Sequence, residues 1–124
     1  MFGLLADQGV GCIPWSPLAK GRLARPWGEH TRRFDADQVG RRYDVVDDRP
    51  IVDAVQKVAE ARDIPMAQVA LAWVLKNPVV TAPIVGPTKL HHMPDAVAAL
   101  DVQLTDDEIR TLEEPYVPHL PSAF

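Results

Sequence analysis

Apolar positions along the chain fall into short continuous runs separated by helical stripes. Met1–Gln8 is apolar in patches, has no N-cap signal ahead of it and is followed by Gly9. That predicts the end of a helix closed by a glycine cap. Val10–Pro14 is a short apolar run bounded by glycine and proline, which suits a buried strand. Trp15–Asp48 shows no sustained period and carries Arg22, Arg25, Arg32, Arg33, Arg41 and Arg42. It predicts a long loop with one helical turn, a kind of segment that is usually functional or disordered.

Pro50 then opens a helix in which Ile51, Val55, Val58 and Arg62 recur at helical spacing, with Asp53, Gln56, Lys57 and Glu60 on the polar face. Asp63–Pro65 breaks it. Met66–Lys76 is apolar nearly all round, so this helix should be covered on most sides, and Asn77-Pro78 ends it. Val79–Val85 is a second buried-strand run, with Pro83 making the ladder irregular. His91–Leu100 predicts a helix through Met93, Val97 and Leu100. Thr105 and Glu108 form a capping box for a last helix, with Leu104 and Ile109 as its hydrophobic staple and Pro115 as its stop. Tyr116–Phe124 is a tail. Buried strands alternating with helices predict a parallel α/β arrangement. Two strands do not make a stable parallel sheet, so the organisation reads as a slice of something larger.

Composition narrows the classes. A length of 124 residues suits one domain, and 47% hydrophobic residues suffice for a core. The net charge of -4 argues against a generic nucleic-acid binder. Cys12 stands alone, so no intrachain disulfide forms, and a reducing, cytoplasmic setting is the simplest expectation. No basic region precedes the opening stretch as in a signal peptide, and no run approaches the roughly 18 apolar residues of a membrane span. His91 and His92 would diverge by about 100° on a helix, and His30 and His119 lack ligand-spaced partners, so no metal site is expected.

Two segments carry candidate chemistry, each after a predicted strand, where α/β folds place ligands. In Ile13–Gly21 the Trp15 ring can lie on a planar ligand, the Ser16 hydroxyl can bond a phosphate oxygen, and Gly21 lets the backbone approach. Taken alone, physics favours the blander alternative, with Trp15 a core aromatic and Ser16-Pro17 a plain turn. In Ile84–Ala96 a glycine loop leads from strand to helix, and Thr88 and Lys89 add a hydroxyl and a charge suited to phosphate. An ordinary strand-to-helix turn is an equal alternative there.

Together the two segments resemble the aldo-keto reductase family. Ile-Pro-Trp-Ser-Pro-Leu-Ala-Lys-Gly is similar to the family's cofactor turn after the seventh barrel strand, and Pro-Ile-Val-Gly-Pro-Thr-Lys to the turn after the eighth. Ala67–Leu75 and Thr105–Leu112 resemble two family helices. The resemblance implies a partial TIM (β/α)8 barrel, the last two strands with their helices, with residues 15–49 folding over the cofactor and residues 115–124 shaping the substrate pocket. It implies that Trp15 stacks on the nicotinamide of NADPH. Ser16 and Leu18 would contact the pyrophosphate, with Gly21 lining the turn. Thr88 and Lys89, beside Gly86, would sit near the adenosine 2′-phosphate. His92 falls where the family often has arginine or glutamine. Asp95 and Ala96 fall where a Glu-Asn pair grips the adenine, and Ala96 cannot supply the Asn contact.

The family reduces a carbonyl by hydride transfer, with a tyrosine, lysine, histidine and aspartate from earlier strands. No residue here takes those places: Tyr43 and Tyr116 lie outside any matching motif. A barrel of this kind has about 250 residues. Three readings follow: part of an oxidoreductase for a small carbonyl substrate, completed by strands from elsewhere; an inactive NADPH-binding module; or a self-associating piece using strand edges and the Trp73 helix. The chain alone is expected to reduce no aldehyde or ketone.

Overall fold

The computed structural model describes residues 1–29 and 47–118. Helix α1 spans Phe2–Asp7. It ends in a Schellman motif: Gly9 adopts φ +64°, its N–H donates to Ala6, and the Val10 N–H donates to Leu5. The glycine cap expected from the sequence is therefore present. A 3₁₀ turn follows at Ala19–Ala24.

Helix α2 spans Arg49–Arg62, with proline in its first turn. It closes through Asp63 at φ +53°, where Asp63 and Ile64 donate back to Glu60 and Ala59. Helix α3 spans Met66–Leu75. Val52, Val55, Val58 and Ala59 of α2 pack with Met66 and Val69 of α3 and with Leu112 of the last helix; Leu23, Ile64 and Leu104 seal the margin. Val52, Val69 and Leu71 are the largest fully buried side chains, each contributing about 1.5–3 kcal/mol. Helix α3 is central, as its continuous apolar surface predicts. It packs against α2, the Ala19–Ala24 turn, helix α4 (His92–Ala98) and the 3₁₀ turn Ala99–Asp101.

Helix α5, Asp106–Glu113, begins with the predicted capping box in full. The Glu108 N–H donates to Thr105 Oγ1, and the Thr105 N–H donates to Glu108 Oε2. Arg62 fixes α5 to α2 through two bonds to the Glu108 carboxylate, at 2.5 and 2.6 Å, and a third to the Gln103 carbonyl. The Trp73 indole N–H and the Lys76 ammonium both donate to Glu113 Oε1.

The two expected buried strands are reduced to parallel bridges, Cys12 with Val80 and Trp15 with Ile84. The Cys12 N–H donates to Val79, Thr81 donates to Cys12 and Ile84 donates to Pro14. Trp15 comes three residues after Cys12, whereas Ile84 comes four after Val80, so one extra residue sits beside Pro83. The irregular ladder predicted at Pro83 is thus observed. The expectation of burial is corrected, because Val10, Ile13 and Ile84 are all about half exposed or more. Pro14 and Pro83 lack donors, which keeps the pairing to two bridges, and the side chains are exposed because no described strand or helix covers those faces.

The stripe predicted for α4 is also turned the other way. Met93, Val97 and Leu100 are exposed while Ala99 is buried, so small residues face α3 and the larger ones face outward. Among the described residues no helix is long and apolar enough to cross a membrane.

Candidate functional site

The bridge between Trp15 and Ile84 brings the ends of the two runs side by side and parallel. The chain therefore leaves both segments at the same end, into the Ser16–Gly21 turn on one and the Gly86–His92 turn on the other. The close approach depends on Gly11, where a Cβ would overlap Thr81 Oγ1. The sequence reading passed over this residue, although a glycine inside a strand-like run is itself a sign of close backbone approach.

The first turn is conformationally demanding. Ser16, Ala19, Lys20 and Gly21 all have positive φ, at 55°, 47°, 58° and 92°. Each non-glycine residue in that region costs of order 1 kcal/mol, and such residues cluster at functional sites. Internal bonds offset the strain. The Ala19 and Gly21 N–H groups donate to the Ser16 and Leu18 carbonyls, and the Lys20 N–H donates to Ser16 Oγ at 3.2 Å. A Cβ on Gly21 would meet the Arg25 guanidinium at 3.0 Å, which that flexible side chain can relieve by a small shift, so it is the φ of +92° that favours glycine. Leu23, packed on the core, anchors the turn. Trp15 is 68% exposed, so it is not part of the core formed by the described residues.

The second turn is open. Gly86, Thr88 and Lys89 are exposed, and His92 and Asp95 are partly buried in the first turn of α4. The Thr88 N–H donates to His92 Nδ1 at 3.2 Å, which leaves Nε2 as the protonated nitrogen of the neutral ring. The rings of His91 and His92 meet edge to face at 4.7 Å. Asp95 donates its N–H to the His91 carbonyl and adds negative charge to the helix start. Two open surface depressions lie elsewhere, on the outer side of α5 and beside α2 near Ala24 and Pro26.

His30, Arg32, Arg33, Arg41, Arg42, Tyr43 and His119 lie outside the described residues. Arg22 is within them, and its pairing with Asp48 at 3.2 Å was not foreseen, since the two residues are far apart in sequence. Among the described residues no cluster of three or more metal-ligating side chains occurs. Tyr116 is exposed and follows α5, away from both turns in sequence.

The sequence model of the Aldo/keto reductase family matches residues 1–116. Versiconal hemiacetal acetate reductase of Aspergillus parasiticus is 44% identical over 123 residues, 95% of this chain and 36% of that protein. Putative aryl-alcohol dehydrogenase AAD16 of Saccharomyces cerevisiae is 37% identical over 113 residues, 88% of this chain and 32% of its own length. The crystal structure of a thermostable aldo-keto reductase, Tm1743, aligns with a TM-score of 0.60 at 18% identity, covering 91% of this chain and 32% of that one, a likeness of fold alone. The chain spans about a third of the length of these curated relatives. With the match running through both turns and all five described helices, the chain belongs to the aldo/keto reductase family.

Proposed function

We propose that the chain forms the dinucleotide-binding end of an NADPH-dependent aldo-keto reductase, furnishing the last two strands of a (β/α)8 barrel. The observation that carries this reading is the parallel Trp15–Ile84 bridge, which sends the two turns out from one end of the paired segments. Ligands in parallel α/β folds bind at that end.

The residues present fit such a cofactor. An exposed indole offers a flat apolar face. The absence of a Cβ at Gly21 leaves the backbone of the Ser16–Gly21 turn open to approach by a diphosphate in this reading. Thr88 and Lys89 are exposed and offer a hydroxyl and a cation to a phosphate monoester. In this reading Trp15 stacks on the nicotinamide; Ser16, Leu18 and Gly21 hold the pyrophosphate; Gly86, Thr88, Lys89 and His92 border the 2′-phosphate; Asp95 faces the adenine. The cofactor, when bound, supplies the hydride for a small carbonyl substrate. The chain's own contribution is binding and orientation, and turnover belongs to an assembly with further barrel strands.

Calorimetric titration with NADPH and NADH tests the reading. NADPH is expected to bind more tightly, and Lys89→Ala to weaken NADPH more than NADH. Equal losses for the two would remove Lys89 from the 2′-phosphate. The exposed side chains of Val10, Ile13, Ile84, Val97 and Leu100 favour a second reading, a chain that associates with copies of itself when no other strands cover it.

A further inference from the structure

The Ser16–Gly21 turn is strained, and the structure holds a contact that braces it from outside. Arg22 Nη1 lies 3.2 Å from Asp48 Oδ2, and their side chains are only 12% and 29% exposed. Arg22 is one residue past Gly21, inside the Ala19–Ala24 turn. Asp48 is the N-cap residue of α2, yet its side chain makes no capping bond to that helix. An N-cap aspartate ordinarily accepts from its own helix amides. Here the carboxylate is turned to Arg22 instead, at some cost to the helix start.

We infer that Arg22 and Asp48 are positioning residues that hold the Ser16–Gly21 turn in its binding shape by tying it to the N-terminus of α2. The inference rests on the cofactor reading above for its purpose, but the bracing is testable without a ligand. Three non-glycine residues at positive φ within six positions, Ser16, Ala19 and Lys20, will relax unless the surrounding structure holds them. Leu23 holds the turn from the core side. The ion pair adds a second tie, to the start of α2, and a largely buried pair is screened less by solvent and salt than a surface one.

Amide hydrogen exchange on the full chain is the primary test, comparing the wild type with Arg22→Ala, Asp48→Asn and Arg22→Lys. The alanine and asparagine variants should exchange the Lys20, Gly21 and Leu23 amides on the order of tenfold faster. The amides of α3 and α5 should keep their protection. The lysine variant, which keeps the charge, should recover part of the loss. Unchanged protection at the turn in both variants overturns the inference, and so does a uniform loss across all helices, which marks a general packing role. Titration with NADPH then separates the two claims. If the wild type binds and the two variants bind several-fold more weakly, positioning for the cofactor is supported. If the wild type binds and the variants bind equally well, that positioning is refuted. If the wild type does not bind, the cofactor reading fails while the exchange data still decide on the brace.

Discussion

Single residues decide the shape of the two turns. Gly21 sits at φ +92°, so alanine there meets backbone strain, with only a small shift asked of the Arg25 guanidinium. Gly21→Ala should cost about 1–2 kcal/mol, read as a lower urea midpoint at unchanged m-value. An unaltered midpoint would mean the turn relaxes freely. Trp15 and Lys89 were singled out in the sequence by residue type and by their place after a strand-like run, and both are exposed in the structure. The strain at Ser16, Ala19 and Lys20 was not legible, since no propensity rule places serine, alanine and lysine in the left-handed region. The Asp48–Arg22 pairing was hidden for another reason: contacts between residues so far apart depend on packing that periodicity does not encode.

At the scale of elements, helix boundaries were well marked and burial was not. The Thr105–Glu108 box and the Gly9 cap use short-range chemistry, and both appear as expected. Glu108 also meets Arg62, which could not be read from spacing. The hydrogen bonds from Arg62, with those from Thr105, hold the Glu108 carboxyl down at about 2, against desolvation that raises it. A depressed folded-state value stabilises the protein fully above the ordinary glutamate range. That contribution is lost as pH falls from about 4.5 through about 2. Glu108→Gln should therefore lower stability at neutral pH by about 1–3 kcal/mol. It should also flatten the acid limb between those values, as followed by circular dichroism. An acid limb identical to that of the wild type would contradict the assignment. In the core, Leu71→Ala should cost about 2–5 kcal/mol, because Leu71 is among the most deeply buried side chains and α3 is enclosed on most sides.

At the scale of the whole molecule, the striping of α4 and of the two strand-like runs is correct in spacing but not in environment. Met93, Val97 and Leu100 have apolar spacing and yet face outward, as do Ile13 and Ile84. A sequence reading assumes that an apolar stripe is covered. Whether it is covered depends on elements beyond those described, and the chain spans about a third of the length of its curated relatives. Sedimentation velocity over a range of concentrations should therefore show association that Val97→Lys with Leu100→Lys reduces. A compact monomer at every concentration would argue that these faces are tolerated by solvent.

Two turns, separated along the chain, are proposed to act on one dinucleotide. Two-dimensional amide NMR during a titration with NADPH tests this directly. The backbone signals of Ser16–Gly21 and of Gly86–His92 should shift together, along one saturation curve. Shifts confined to one turn, or different saturation curves for the two, would contradict it.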